Sequence, residues 1–181
     1  MKNVLFLLFL SYFCSFAWSQ SIGYKTEVTI QNTFDNITIQ TYANQAEMKV
    51  EELVEYLKMA QNPDNSTAFN AQLESTIQQL FITEESIQLL GIESKVPWTD
   101  SKQWLVDWKQ SKVTIVSLEL IDSELKDSYW NYNYQLVCQV NGKKIRKKMT
   151  VQVYFKQRSK SFGKTQRHVW DLKIGSVTFS K

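Results

Sequence analysis

The chain has 181 residues, 43% of them hydrophobic and 22% charged, and its formal net charge is +3. With only 5 glycines and 2 prolines, this composition excludes a collagen-like, low-complexity or largely disordered protein. The two cysteines, Cys14 and Cys138, are too few for a disulfide framework, so the fold must depend on a hydrophobic core.

The first nineteen residues have the pattern of a secretory signal. A short positive start precedes an almost unbroken apolar run at residues 4–18, and the small residues Ala17 and Ser19 stand at positions −3 and −1 before Gln20. The run is shorter than the ~20 residues that cross a bilayer comfortably. We therefore expect residues 1–19 to be cleaved and the protein to be exported to the periplasm, the envelope or the medium.

Two alternatives to cleavage stay open. One is an uncleaved N-terminal anchor, and the other is a lipoprotein modified at Cys14, although the bulky Phe13 before it fits such a signal badly. Cleavage would leave Cys138 as the one thiol, without an internal disulfide. The remaining residues, 20–181, suit a single domain.

The net charge conceals a strong division between the two halves of the chain. Residues 20–127 carry seventeen acidic and eight basic side chains, whereas residues 128–181 carry twelve basic side chains and one acid, Asp171. Asymmetry of this kind is typical of a surface for an oppositely charged partner. The alternative is that the halves fold against each other and their fields partly cancel.

The first half predicts mainly helices. Apolar residues at spacings of three and four predict a long helix at Thr41–Ala60, and a capped second helix at Asn65–Leu80. A short third helix follows residues 99–101 and carries Trp104, Leu105 and Trp108. Before them, residues 20–40 alternate apolar with polar side chains, which suits short strands; a frayed start to the long helix is an alternative.

The second half predicts antiparallel strands at Val113–Ile121, Tyr129–Val140, Lys144–Lys156 and Arg167–Phe179. Asn141-Gly142 is the strongest short hairpin signal, and its two-residue turn sets Val140 opposite Lys143. The pairing then runs Cys138 with Ile145, Leu136 with Lys147, Tyr134 with Met149, Tyr132 with Val151 and Trp130 with Val153. A one-residue slip would expose the aromatic side chains, so the register is well determined.

Two positions in these strands carry specific expectations. Cys138 belongs to the apolar face and should be a small buried hydrophobe rather than a reactive thiol. Gly175 should be a β-bulge, because the apolar positions of the last strand are even-numbered before it and odd-numbered after it.

Helices that precede a run of strands predict an α+β domain, with two or three N-terminal helices packed on a curved antiparallel sheet of about four long strands. The order resembles the NTF2-like (SnoaL/cystatin-like) superfamily through the Thr41–Ala60 and Asn65–Leu80 helices and the strand run that ends at residues 168–174. The resemblance covers about residues 41–179 and implies a cone in which the sheet wraps the helices. Five side chains are expected inside the cone: Trp130, Tyr132, Tyr134, Met149 and Trp170. They form either a filled core or a pocket for an apolar ligand.

His168 is the only histidine and therefore the one candidate for acid–base catalysis. Enzymes of the resembled superfamily often hold His and Asp in the cone, and Tyr132 and Tyr134 are the expected hydrogen-bond partners across the sheet. Asp171 is three residues away along a strand and faces the opposite side. The alternative is a surface histidine. Without a metal-ligand constellation, a phosphate loop or a nucleophile elbow, we expect neither metal nor cofactor.

The basic residues of the second half are the more prominent feature. Five of them lie close together on one strand of the hairpin: Lys143, Lys144, Arg146, Lys147 and Lys148. Five more line the predicted loop that follows: Lys156, Arg158, Lys160, Lys164 and Arg167. Export argues against nucleic acid as the partner. It favours an anionic lipid head group, an acidic polysaccharide or an acidic protein surface, such as that of a second copy in a homodimer. A solvated hairpin without a partner is the alternative.

These observations favour an exported, non-enzymatic binding or assembly module of NTF2-like fold, whose partner is an apolar small molecule or a protein. Two alternatives stay open. One is an enzyme of the same fold that uses His168 as acid and base. The other is an electrostatic adaptor that binds an anionic envelope component through the basic hairpin, residues 143–167.

Overall fold

The structure, a computed structural model, describes residues 29–83, 87–93 and 96–180. The predicted signal at residues 1–19, with Cys14 and the cleavage site, lies outside them. In chain order the described elements are α1 (Ile30–Thr33), α2 (Asn36–Ala60), α3 (Thr67–Leu80), α4 (Ser101–Gln110), β1 (Val113–Leu125), β2 (Tyr129–Val140), β3 (Lys143–Phe162) and β4 (Thr165–Ser180). The arrangement is α+β, as predicted. None of the described helices is long and apolar enough to cross a membrane.

From Ile30 onward the segment before the long helix is mainly helical, so the prediction of short strands is wrong there. The part of that prediction at residues 20–28 lies outside the described residues. The Asp35 carboxylate accepts a hydrogen bond from the Thr38 backbone N–H at 2.7 Å and starts α2 at Asn36. A carboxylate at this position satisfies one of the helix's unpaired N–H groups. Capping therefore outweighs the strand-like alternation of Ile37 and Ile39. The structure is closer to the alternative expectation, in which the long helix starts before Thr41.

The helices form a layer whose buried side chains face the sheet and one another. α2 buries Ala46, Val50, Leu53, Val54, Leu57 and Ala60. α4 is fixed at the end of this layer by two indoles that are at most 1% exposed. The Trp108 Nε1–H donates to the Leu57 carbonyl at 3.3 Å, and the Trp104 Nε1–H donates to the Leu90 carbonyl at 3.1 Å.

The four strands form one antiparallel sheet in the order β1-β2-β3-β4, and the sheet is curved but not closed. The predicted hairpin register is confirmed at every pair, from Val140 opposite Lys143 to Trp130 opposite Val153. Asn141 and Gly142 both have positive φ, at 51° and 78°, as the two-residue hairpin turn requires.

The predicted bulge at Gly175 is confirmed. Gly175 and Ser176 together lie opposite Gln152, between the regular pairs of β3 and β4. A Cβ atom on Gly175 would collide with the Tyr154 ring, which packs over this point of the backbone. Only glycine therefore fits the bulge without a shift of the ring.

The predicted loop between Lys156 and Arg167 is wrong. β3 continues to Phe162, β4 begins at Thr165, and the two strands stay paired up to a turn in which Gly163 has φ 63°. We call residues 157–168, which are all exposed, the arm. A ribbon solvated on both faces has no apolar alternation, so the pattern that identifies strands is missing from its sequence.

A further segment pairs with the edge of β4 that faces away from β3, and no pattern in the sequence predicted it. The Ile82 N–H donates to the Ile174 carbonyl at 2.8 Å, and the Leu90 N–H donates to the Val177 carbonyl at 2.8 Å. The bridges at Phe81 and Leu89 are parallel. This contact brings the C-terminal end of α3 against the edge of the sheet.

The helix layer covers the inner faces of β2, β3 and β4 but leaves much of β1 exposed. On β2 and β3 the inner residues Leu136 and Val151 are fully buried. On β1 burial ends at Ile115, and Leu120, whose register places it on the same face, is 37% exposed. β1 is thus an exposed edge strand, with irregular pairing at Val116.

Candidate functional site

Four of the five residues predicted to line the cone pack in the hydrophobic core. Trp130, Tyr132, Tyr134 and Met149 are each at most 3% exposed. The Tyr132 hydroxyl donates to the Ala43 carbonyl at 2.6 Å, whereas the Tyr134 hydroxyl has no hydrogen-bond partner among the described residues. Burial, reinforced by the negative charge of Glu47, raises the pKa of both phenols. These side chains hold α2 on the sheet.

The fifth residue, Trp170, lies apart from them in a cluster of aromatic rings. Its ring stacks on Phe155 with centroids 4.4 Å apart and planes at 4°, and Phe34 meets it edge-on at 5.3 Å. The half-buried Trp170 also lines a cleft of about 470 Å³ between α2 and β4. Tyr42 and Met48 add apolar surface on the α2 side of this cleft.

The polar side of the same cleft comes from α2. Lys49 and Glu52 form an ion pair at 2.7 Å, and the Tyr56 hydroxyl donates to Glu52 at 2.9 Å. The cleft therefore combines an indole, a phenol ring and a fixed ion pair. Such an arrangement suits a ligand with an apolar body and a polar end.

His168 lies on the exposed arm. Its Nδ1 is 3.3 Å from the Ser159 hydroxyl, on the strand opposite. The prediction that Tyr132 or Tyr134 would partner it is wrong, because Tyr132 pairs with Val151, whose β4 neighbour is Val177, nine positions from the histidine. The hydroxyls of both tyrosines are buried beneath α2 instead.

The other two expectations for reactive groups concern cysteine and metal. Cys138 is 0% exposed, as predicted, and burial raises the pKa of its thiol. Within residues 29–83, 87–93 and 96–180, no three His, Cys, Asp or Glu side chains converge as metal ligands would.

The basic residues form two separate patches at opposite ends of β3. We call Lys143, Lys144, Arg146, Lys147 and Lys148 the tip patch, and Lys156, Arg158, Lys160, Lys164 and Arg167 the distal patch. At ~3.3 Å per residue, Lys148 and Lys156 are about 26 Å apart along the strand. One compact anion cannot contact both patches.

Alternation along β3 divides the tip patch between the two faces of the sheet, whereas the β3 cations of the distal patch share one face. Even-numbered residues of β3 lie on the outer face, opposite the helices; odd-numbered residues such as Lys143 and Lys147 belong to the inner face with Met149. Lys147 is half-buried opposite Leu136. The outer face therefore receives the cations at 144, 146 and 148 in the tip patch and at 156, 158 and 160 in the distal patch.

A second cleft, of about 440 Å³, lies on the outer face beside the distal patch. Lys156, Arg158 and Lys173 line one wall, and the last turn of α3 lines the other with Gln78 and Gln79. The cleft exists because residues 81–82 and 88–90 bond to β4 and bring α3 to the sheet edge. Three cations and two carboxamides thus face one concave space.

Asp171, which lines the cleft at Trp170, is the acid that contacts two cations of this wall. Arg158 meets its carboxylate at 3.0 Å and Lys173 at 3.8 Å. Lys173 also donates to the Gln79 carbonyl at the end of α3. Burial lowers the pKa of Lys173, although the Asp171 charge acts in the opposite direction. One carboxylate shared by two cations leaves the wall with a positive balance.

The predictions from sequence included Lys156 and Arg158 but missed Lys173 and the two glutamines. Lys173 alternates with Leu172 and Ile174, so its place on the outer face was readable from the strand pattern. Gln78 and Gln79 carried no such indication, because their position depends on the pairing of residues 81–82 and 88–90 with β4. Comparison of the chain with protein-family models, with curated proteins and with solved structures finds no match.

Proposed function

We propose that this chain is an exported, non-enzymatic binding module of NTF2-like architecture that holds an anionic partner on its basic outer face. The observation that supports this most directly is the cleft where Lys156, Arg158 and Lys173 converge. Carboxylate, phosphate and sulfate groups are the chemistry that such a wall recognises. The helix layer on a curved sheet agrees with the architecture, and the N-terminal pattern agrees with export.

The charge balance of the region supports the proposal. No acid occurs in the sequence between Asp127 and Asp171 or after Asp171. Asp171 meets Arg158 and Lys173 at once, so it cannot also neutralise the other cations of the distal patch. Like charges on one surface repel one another, and an anionic partner relieves that repulsion.

Binding to matched charged and neutral probes tests the proposal. Polygalacturonate and phosphatidylglycerol vesicles are the anionic probes, and dextran and phosphatidylcholine vesicles are their neutral counterparts. We expect an anionic probe to bind at low salt and the binding to collapse near ~0.5 M salt, where screening shortens the range of the field. Absence of binding to both anionic probes at low salt would overturn the proposal.

A pair of charge-removing variants locates the binding. Lys156→Gln with Arg158→Gln removes two cations of the cleft and should weaken binding roughly thirtyfold, at ~1 kcal/mol for each charge. The matched control is Lys58→Gln with Lys102→Gln, on α2 and α4, which should bind as the parent does. Equal losses in the two pairs would show a dependence on net charge alone and contradict the site.

The cleft at Trp170 supports a second candidate function, the binding of a small amphipathic ligand. Trp170 and Tyr42 would hold the apolar body, and the ion pair of Lys49 and Glu52 would hold the polar end. Native mass spectrometry of protein recovered from its own envelope fraction would detect a retained ligand and also check cleavage before Gln20. A ligand lost in Trp170→Ala but retained in Trp98→Ala would place it in this cleft.

A further inference from the structure

The outer face of β3 forms one long line that connects the two basic patches. Every second residue from Lys144 to Lys160 lies on it. The line begins with three cations, passes through Thr150, Gln152 and Tyr154, and ends with three more cations. At ~3.3 Å per residue it is about 53 Å long.

The strands beside this line keep it clear of negative charge over most of its length. The outer residues of β2, such as Asn131, Asn133 and Gln135, are neutral, and those of β4 include Ser176 and Thr178. Among the outer residues of β2 and β4, the acidic one is Asp171, which pairs with Lys156 at the distal end of the line. Acidic side chains instead occupy the outer face of β1, two strands from β3, at Glu119, Asp122 and Glu124.

The centre of the line offers neutral hydrogen-bonding groups in a concave setting. Thr150, Gln152, Ser176, Thr178 and Gln88 line a hollow of about 290 Å³. The Thr150 hydroxyl donates to Asn133 at 2.7 Å, and the Ser176 hydroxyl accepts from the Gln88 backbone N–H at 3.0 Å. These contacts fix the side chains in place. Amide and hydroxyl groups of this kind suit the hydroxyls of a sugar chain.

We propose that the outer face of β3 is a track for a linear acidic polysaccharide. The inference rests on the proposed function and names the class of its partner. The polymer would place carboxylate or sulfate groups on the two patches and its hydroxyls on the central hollow. A single lipid head group is too small to reach from one patch to the other, and the acidic outer face of β1 directs a polyanion along β3 rather than across the sheet.

A single-stranded nucleic acid is the polyanion that fits less well. Proteins that bind such strands stack successive bases on exposed aromatic side chains. Between the patches the aromatic side chains on the outer face are Tyr129 and Tyr154, whose rings pack against each other with centroids 5.0 Å apart. Tyr154 also packs over the Gly175 bulge, so its ring is already in use.

Titration with oligogalacturonates of graded length tests the track. Oligomers shorter than the ~26 Å between the patches bind one patch at a time. Longer oligomers engage both, and the linked second contact should raise their affinity roughly 100-fold. We therefore expect a step in affinity at the spanning length. An affinity that rises only smoothly with the number of charges would overturn the track while leaving the anionic module intact.

Variants of the tip patch provide a control on the same strand. Lys144→Gln with Lys148→Gln removes two outer-face cations and should abolish the step, while short oligomers still bind the distal patch. Lys143→Gln with Lys147→Gln removes two cations of the same patch from the inner face and should keep the step. Loss of the step in both pairs would overturn the assignment to the outer face.

Two further results separate this inference from the proposed function. Failure of short and long oligogalacturonates alike, while phosphatidylglycerol vesicles bind through Lys156 and Arg158, would remove the polysaccharide and keep the anionic module. A single-stranded oligonucleotide that binds more tightly than an oligogalacturonate of equal length and charge would also overturn it. Failure of every anionic probe would remove both.

Discussion

β1 and β3 are long strands of one sheet, yet they lie in opposite environments. The inner side chains of β3 from Met149 to Phe155 are at most 4% exposed, whereas on β1 the inner-face Leu120 is 37% exposed. Their outer faces carry opposite charges. Strand length and apolar content do not explain the difference, since the exposed strand β1 is richer in aliphatic residues than β3. The position of α2 over β2, β3 and β4 explains it. Burial in this sheet therefore follows helix coverage.

The same comparison explains the division of charge in the sequence. The helices of the acidic half pack on the inner face of the basic strands, but the outer-face cations of β3 lie on the side of the sheet away from them. Part of the acidic half, β1, joins the sheet as its outermost strand, so the outer face changes from negative at Glu119 to positive at Lys148 over two strand spacings of ~4.8 Å each. A charged partner would meet a gradient with a definite direction.

The largest expected effect tests the difference in burial. Met149→Ala on β3 should lower the free energy of unfolding by about 2–4 kcal/mol, because it leaves a cavity under α2. Leu120→Ala on β1 should lower it by less than ~1 kcal/mol, since its side chain is already partly solvated. Urea denaturation measures both. Equal losses would mean that β1 is covered in solution.

The irregular positions of the sheet give the next largest effect. Gly175→Ala should lower the free energy of unfolding by about 1–3 kcal/mol, because the added Cβ meets the Tyr154 ring. Val116→Ala, where the pairing of β1 is irregular and the side chain is 48% exposed, should change it by less than ~0.5 kcal/mol. In a Tyr154→Ala background the loss from Gly175→Ala should shrink. If the losses simply add, the ring is not the cause.

Two tyrosines of β2, the strand between β1 and β3, give smaller effects on stability, and the two effects should differ in sign. Tyr134 lies on β2 between Leu120 and Met149, and its hydroxyl is buried without a described partner. Tyr134→Phe should therefore raise the free energy of unfolding by about 1 kcal/mol. Tyr132→Phe removes the hydrogen bond to the Ala43 carbonyl and should lower it by a similar amount. Thermal denaturation of the two variants compares them; destabilisation by Tyr134→Phe would reveal a partner for its hydroxyl.

The smallest change in stability tests the charge gradient. Asp171→Asn and Glu119→Gln should each alter the free energy of unfolding by less than ~1 kcal/mol, since both carboxylates are at the surface. Their effects on polygalacturonate binding should differ. Asp171→Asn should tighten it roughly fivefold. Glu119→Gln should change it less, because ~10 Å, about one Debye length at 0.1 M salt, separates β1 from β3.

Local rules predicted the elements whose determinants are near in sequence. Asn141-Gly142 and the alternation around it were enough for the β2–β3 register, and the change of alternation at Gly175 was enough for its bulge. The start of α2 was missed because the Asp35 cap outweighs the pattern of Ile37 and Ile39. The parallel pairing of Phe81 and Leu89 with β4 was missed because its partners are some ninety positions apart in the sequence.

The candidate site was predictable only in part, for the same reason. Charge and alternation identified the cations of β3, but the cleft also needs Gln78 and Gln79, which reach the sheet through a tertiary contact. The residues predicted to line an aromatic pocket do lie on the inner face of β2, β3 and β4. Sequence alone could not decide between a filled core and an open pocket, because that depends on how closely α2 approaches Tyr132 and Tyr134.

The arm has a consequence for how the molecule opens. Beyond Tyr154 β3 has lost its β2 neighbour, so residues 157–168 form a two-stranded ribbon without a core beneath them. Such ribbons are marginally stable by themselves. Backbone amides in the arm should therefore exchange their hydrogens through local fraying, while those of Val151 and Leu136 await global unfolding. Among the described residues, trypsin should first cut the native protein after Lys160 or Lys164, and the body that remains should stay folded.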